Sequence, residues 1–84
     1  MNTEKQQRGL RLKSFRLKIL EMTQVELAEL IGTSQANYNL IERGVNELIP
    51  DTLFLLGSKF GYSPTFHLFG VGEILDSRIL SSNS

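Results

Sequence analysis

Four side-chain carboxamides fall inside one stretch of this chain, TQVELAELIGTSQANYNLIERG, residues Thr23 to Gly44: Gln24, Gln35, Asn37 and Asn39. A carboxamide carries donors and an acceptor on one planar group, so it suits a partner that presents both side by side. Asparagine is a mediocre helix former. Two of them in a short helical segment imply that something outside the helix meets them.

Other chemistries find less support. The chain has no cysteine, which excludes a disulfide framework, a thiolate metal site and a thiol nucleophile, and fits a reducing cytoplasm. His67 is the only histidine; beside Phe66 and Phe69 it reads as a partly buried structural residue, because a lone histidine makes no metal site. No glycine-rich phosphate loop occurs, and no carboxylate pair has an identifiable acid–base partner. Glu26 and Glu29 share a helix face, where such pairs ordinarily meet solvent. Neither catalysis nor a cofactor, metal or small-molecule ligand is expected.

The elements that must position the amides are helical almost throughout. Residues 8 to 20 place Leu12, Phe15, Ile19 and Leu20 at helical spacing with basic residues between them, an amphipathic first helix. Thr23-Gln24-Val25-Glu26 has the form of a capping box, so a second helix starts at Gln24 and stops at Gly32. Thr33 or Ser34 can cap a third helix from Gln35 to about Arg43, closed by Gly44. Pro50 opens a fourth that carries Leu53, Phe54, Leu56 and Phe60 and ends at Gly61, with Gly57 inside it for close helix approach. Ser63-Pro64 starts a fifth through Phe69. Glu73 to Leu80 could form another, and SSNS reads as a frayed tail.

Two short helices across a glycine turn need a small residue where they touch and apolar residues that hold the second onto the first. Ala28, Gly32, Tyr38 and Ile41 meet these needs, with Leu27, Leu30 and Ile31 directed to the core. On a 100° wheel Ser34, Tyr38 and Ile41 fall on one side of the third helix. Ala36, Asn39, Leu40 and Arg43 fall on the other, flanked by Gln35 and Asn37. Tyr38 reads more readily as core than as a base-stacking group, and Leu40 either packs inward or faces a partner.

Size and charge bound the rest. A chain of 84 residues, 40% hydrophobic and 21% charged, fits one soluble domain with a marginal core, for which a partner subunit is a reasonable expectation. The longest apolar run, Leu53 to Leu56, is far too short to span a membrane, and the polar start MNTEKQQRG is unlike a signal peptide. Net charge is zero, but Lys5, Arg8, Arg11, Lys13, Arg16 and Lys18 face only Glu4 before residue 19. That asymmetry fits a nucleic-acid arm or a solvated basic helix face.

The combination TQ-x-x-LA, G-T-S and IERG at these intervals, with LKSFR upstream and extending to about Phe69, closely resembles the Cro/CI-like helix-turn-helix regulators, the XRE family or lambda-repressor-like DNA-binding domains. The resemblance implies an all-α, compact bundle of about five short helices with a helix-turn-helix at 24–43, commonly dimeric, that binds double-stranded operator DNA. It implies base contacts by Gln35, Ala36, Asn39 and Leu40, and backbone contacts by Gln24, Asn37, Arg43 and Asn46. It also implies an ion pair between Arg16 and Glu42. Six residues separate Arg16 from Thr23, one more than is usual in the family, and Glu47 stands in a loop where the family often has a base. The chemistry fits: an amide can pair with adenine and an alanine or leucine can touch a thymine methyl, which favours A·T-containing sites.

The C-terminal third holds more apolar side chains than a unit this small needs. Phe66, Phe69, Val71, Ile74, Leu75 and Ile79 are expected to form a two-fold dimer interface, which would set two third helices about 34 Å apart on a palindromic site; completion of the monomer's own core is the alternative. The expected division is a flexible basic arm at 1–9, a DNA-binding domain at 10–70, a dimerisation helix or extension at 71–80 and a disordered tail at 81–84. The expected function is a cytoplasmic, homodimeric transcriptional regulator, most simply a repressor. The alternative is a degenerate helix-turn-helix that binds another protein, as an antirepressor or antitoxin-like partner does.

Overall fold

Thr3 and Gln6 open the first helix by a capping box: the Thr3 hydroxyl accepts from the Gln6 amide at 3.2 Å, and the Gln6 side chain accepts from the Thr3 amide at 2.8 Å. The computed structural model describes residues 3–76, and it divides into a unit from Met1–Glu47 and a unit from Leu48–Ser84. Helix α1 runs Glu4–Ser14. Most of the stretch expected as a flexible arm is therefore helix, because TEKQ satisfies its first orphan amides as TQVE does further on.

α1 runs on into a π-helical turn, Phe15–Leu20, closed by Glu21 in the left-handed conformation at φ 54°. A π turn holds one residue more than an α turn, and that is where the additional residue between Arg16 and Thr23 is accommodated. The wider turn also changes which side chains face inward. Leu12 and Phe15 are fully buried and Arg16 is buried with them, whereas Ile19, expected on the core stripe, is 40% exposed.

Helix α2, Gln24–Ile31, begins with the Thr23–Glu26 capping box and ends at Gly32, φ 75°. Leu27 and Ala28 are buried, but Leu30, expected to face the core, is 40% exposed. Helix α3, Gln35–Glu42, is capped by Ser34, whose hydroxyl accepts from the Asn37 amide at 3.0 Å. Tyr38, Ile41 and Glu42 form its buried side. α1 packs on α3, and α2 on α3.

Tyr38 is wholly buried, the core place expected of it, and its hydroxyl finds no hydrogen-bond partner. Burial first, and then the neighbouring Glu42 carboxylate, push its ionisation well above the ordinary phenol range. An orphaned buried hydroxyl carries a desolvation cost with no compensating bond. Tyr38→Phe is accordingly expected to leave stability unchanged or raise it by up to about 1 kcal/mol, read as the midpoint of urea unfolding.

In the second unit, α4 runs Pro50–Phe60 and α5 runs Pro64–Phe69, with Ser63 capping α5 through the Phe66 amide at 3.1 Å. Leu53, Leu56 and Tyr62 are buried, while Phe54 is 64% exposed. The buried His67 takes a structural place as expected: its Nδ1 lies 2.7 Å from the Tyr62 hydroxyl, with the rings edge to face. The helix expected from Glu73 is absent over the described residues. Instead Leu75 forms an isolated antiparallel bridge with Tyr62, and the Ser63 and Asp76 amides donate to the Ile74 and Gly61 carbonyls at 2.9 and 2.7 Å. The class is all-α, with this bridge as the one β feature among the described residues.

Candidate nucleic-acid interface

The site is built outward from a buried ion pair. Arg16 Nε lies 2.7 Å from Glu42 Oε2 and Arg16 Nη2 lies 3.1 Å from Glu42 Oε1, a two-pronged contact. Arg16 Nη1 also donates to the Met22 carbonyl at 2.9 Å, tying the end of the π turn to the same residue. Burial alone would raise the Glu42 carboxyl, but the hydrogen bonds from Arg16, and after it Gln24, outweigh burial and hold the group below its usual range. The Arg16 guanidinium is raised in turn, chiefly by its bond to Glu42. The Arg16–Glu42 pair that the resemblance implies is therefore present despite the longer spacing from Arg16 to Thr23.

From Glu42 the network continues to the amides of the opening stretch. Gln24 Nε2 donates to Glu42 Oε1 at 3.0 Å, which fixes the Gln24 carbonyl as the acceptor on its other side. Into that carbonyl donate Gln35 Nε2 at 2.8 Å and Asn39 Nδ2 at 3.4 Å. A charged core pair therefore sets the donor–acceptor sense of three amides around α3. Gln35 keeps a second N–H and its carbonyl, the pair of groups that matches the major-groove edge of adenine.

A second set of bonds runs along the other flank. Asn37 Nδ2 donates to Thr33 Oγ1 at 2.8 Å, and Asn46 Nδ2 donates to Asn37 Oδ1 at 2.8 Å. Gln35, Ala36, Arg43 and Asn46 are exposed, and Gln24, Asn37, Asn39 and Leu40 are partly exposed. All eight lie in the first unit. Beside them opens a concavity of about 450 Å³ lined by Gln6, Leu10, Lys13, Gln24, Asn39, Glu42, Arg43 and Val45. Both carboxylate oxygens of Glu42, the one acid in this lining, are already bonded, so its character is cationic and amide-rich.

Several supporting residues have no signature in the sequence taken alone. Gly9 is buried in α1, and a Cβ there would lie 2.6 Å from the Ile41 carbonyl oxygen and closer still to that of Glu42. At Gly44, φ 80°, a Cβ would lie 2.6 Å from the Gln6 Cα. Arg8 pairs with Glu47, its Nε donating at 2.6 Å, so the acid that looked out of place against phosphates has a partner within the protein. The TEKQ capping box is the one available signal: taken as a helix start, it puts Gly9 in mid-helix, where glycine needs a reason.

A helix-turn-helix family model matches residues 12–67. The chain belongs to this family. As a Cro/CI-like, XRE-type helix-turn-helix protein it is a DNA-binding transcription regulator. In this helix-turn-helix protein α2 and α3 are the paired helices, and the amide network lies on them. Comparison with curated proteins and with solved structures finds no match. Among the described residues no helix is long and apolar enough to cross a membrane.

Of the residues expected at a dimer interface, Phe69 and Val71 are 68% and 54% exposed. Phe66, Ile74 and Leu75 are partly exposed, and Ile79 lies outside the described residues.

Proposed function

We propose that this regulator is a repressor that binds a palindromic operator as a homodimer. The observation that carries the DNA-reading part is the linked set of amides Gln24, Gln35 and Asn39, held in one donor–acceptor sense by the buried Glu42. Preorganised amides lose little freedom on binding, which favours sequence discrimination over mere adhesion. Gln35, Ala36, Asn39 and Leu40 read bases in the major groove; Gln24, Arg43 and Asn46 contact the DNA backbone. Lys13 and Arg43 line the same concavity as Gln24 and Asn39, and this supports a phosphate path beside α3.

The exposed Phe69 and Val71 support a second copy as the dimer partner, since large apolar side chains in a small unit favour burial. The protein acts in the cytoplasm by occupying its site, not by catalysis.

The test is a double substitution. Gln35→Ala with Asn39→Ala is expected to reduce the preference for the selected site over random duplex on the order of 100-fold, with melting temperature unchanged within a few degrees. An unaltered preference would refute the assignment of these two residues.

A further inference from the structure

The Thr33–Asn37–Asn46 relay changes what Asn37 can do. Family resemblance gives Asn37 a direct contact with the DNA backbone, yet both its amide nitrogen and its amide oxygen are already bonded inside the protein, which leaves it one N–H. Its Nδ2 donates to Thr33 Oγ1 and its Oδ1 accepts from Asn46 Nδ2, each at 2.8 Å. The Asn37 backbone amide is likewise taken by the Ser34 hydroxyl at 3.0 Å. What the relay leaves over lies at its two ends. Thr33 accepts through its oxygen, so its hydroxyl proton needs an acceptor that no described residue provides. Asn46, exposed in the loop after α3, retains its second N–H. Each end thus keeps a donor, and a phosphodiester oxygen is only an acceptor, so these donors suit the DNA backbone.

We infer that Thr33 and Asn46 are paired donors to the DNA backbone, and that Asn37 is a positioning residue that braces them across the start and end of α3. The inference rests on the DNA-binding reading above. Thr33 marks the turn before α3 and Asn46 the loop after it, so the brace fixes how the whole helix is presented to the groove. Asn37, which bridges Thr33 and Asn46, contributes to affinity chiefly through these two neighbours.

Neutral donors give a signature that lysine or arginine contacts do not. Losing a cationic phosphate contact lowers the slope of log affinity against log salt by about 0.9. Losing an uncharged donor weakens binding at every salt concentration and leaves the slope unchanged. The experiment measures affinity for the best selected duplex at several salt concentrations, in the full chain, for Thr33→Val, Asn46→Ala, Asn37→Ala and the Asn37→Ala/Asn46→Ala double variant. Melting curves of each verify folding.

Thr33→Val and Asn46→Ala should each weaken binding about 3- to 10-fold, with the salt slope and the preferred sequence retained. Asn37→Ala should match Asn46→Ala or exceed it slightly, and in the Asn46→Ala background it should add less than its effect alone. Wild-type affinity in Thr33→Val, or fully multiplicative effects of Asn37→Ala and Asn46→Ala, would overturn the inference while leaving DNA binding in place. A wild-type chain that binds no duplex would overturn both readings.

Discussion

Arg16→Ala is expected to destabilise the first unit by about 3–5 kcal/mol, the usual cost of removing one partner from a buried ion pair. In a domain this small that lowers the melting temperature by more than about 15 °C. The reason is the burial of both groups: Arg16 is 6% and Glu42 5% exposed, so a Glu42 carboxylate deprived of its guanidinium is left charged and dry. Gln24 alone would still donate to it, and one amide cannot replace a two-pronged cation. DNA recognition should suffer beyond the loss of folded protein, because Gln24 takes its orientation from Glu42. The paired replacement Arg16→Met with Glu42→Leu should recover much of the lost stability, since it removes both charges together, yet should not restore sequence preference. A loss under about 1 kcal/mol for Arg16→Ala, measured by urea unfolding, would contradict the buried geometry.

The second large effect comes from a single methyl group. Glycine to alanine inside a helix ordinarily gains about 1 kcal/mol. Gly9→Ala should do the reverse and cost about 3 kcal/mol, because the added Cβ would run into the carbonyl oxygens of Ile41 and Glu42. Those are backbone atoms at the end of α3, so no side-chain rotation relieves the clash; α1 must move away from α3. Gly32→Ala supplies the comparison. Gly32 also has a special role, a left-handed φ of 75°, but nothing lies within 4 Å of its would-be Cβ. It should therefore lose only about 1 kcal/mol, from backbone strain. Equal midpoints for Gly9→Ala and wild type would show that α1 does not pack against α3 so closely.

The helix-turn-helix itself was plainly legible in the sequence, because its determinants are local. Thr23 with Glu26, the glycine at 32 and the wheel that separates Tyr38 and Ile41 from Asn39 and Arg43 depend on neighbours a turn apart. Long-range consequences were harder to read. The π turn at Phe15–Leu20 has no residue signature in FRLKIL; only the spacing from Arg16 to Thr23 hinted at it, and its rotation of Ile19 to the surface comes from backbone geometry. Gly9 matters through α3, distant in sequence. The roles of the amides divide in the same way: their presence was visible, but that Gln24 accepts from Gln35 and Asn39 while Asn37 is occupied by Thr33 and Asn46 depends on where side chains meet. At the C-terminal end, the helical spacing of Val71, Ile74, Leu75 and Ile79 suggests a helix, where Ile74 and Leu75 instead bond alongside Gly61 to Ser63. Short apolar runs fit both periodicities, and pairing with the preceding turn decides between them.

The most direct measurement is selection of bound sequences from a random duplex pool, followed by titration of the best site at two salt concentrations. A dimeric operator-binding regulator should give a two-fold symmetric consensus containing A·T pairs, half-sites about one helical turn apart, and weaker binding at the higher salt. A pool with no enriched sequence would contradict that reading.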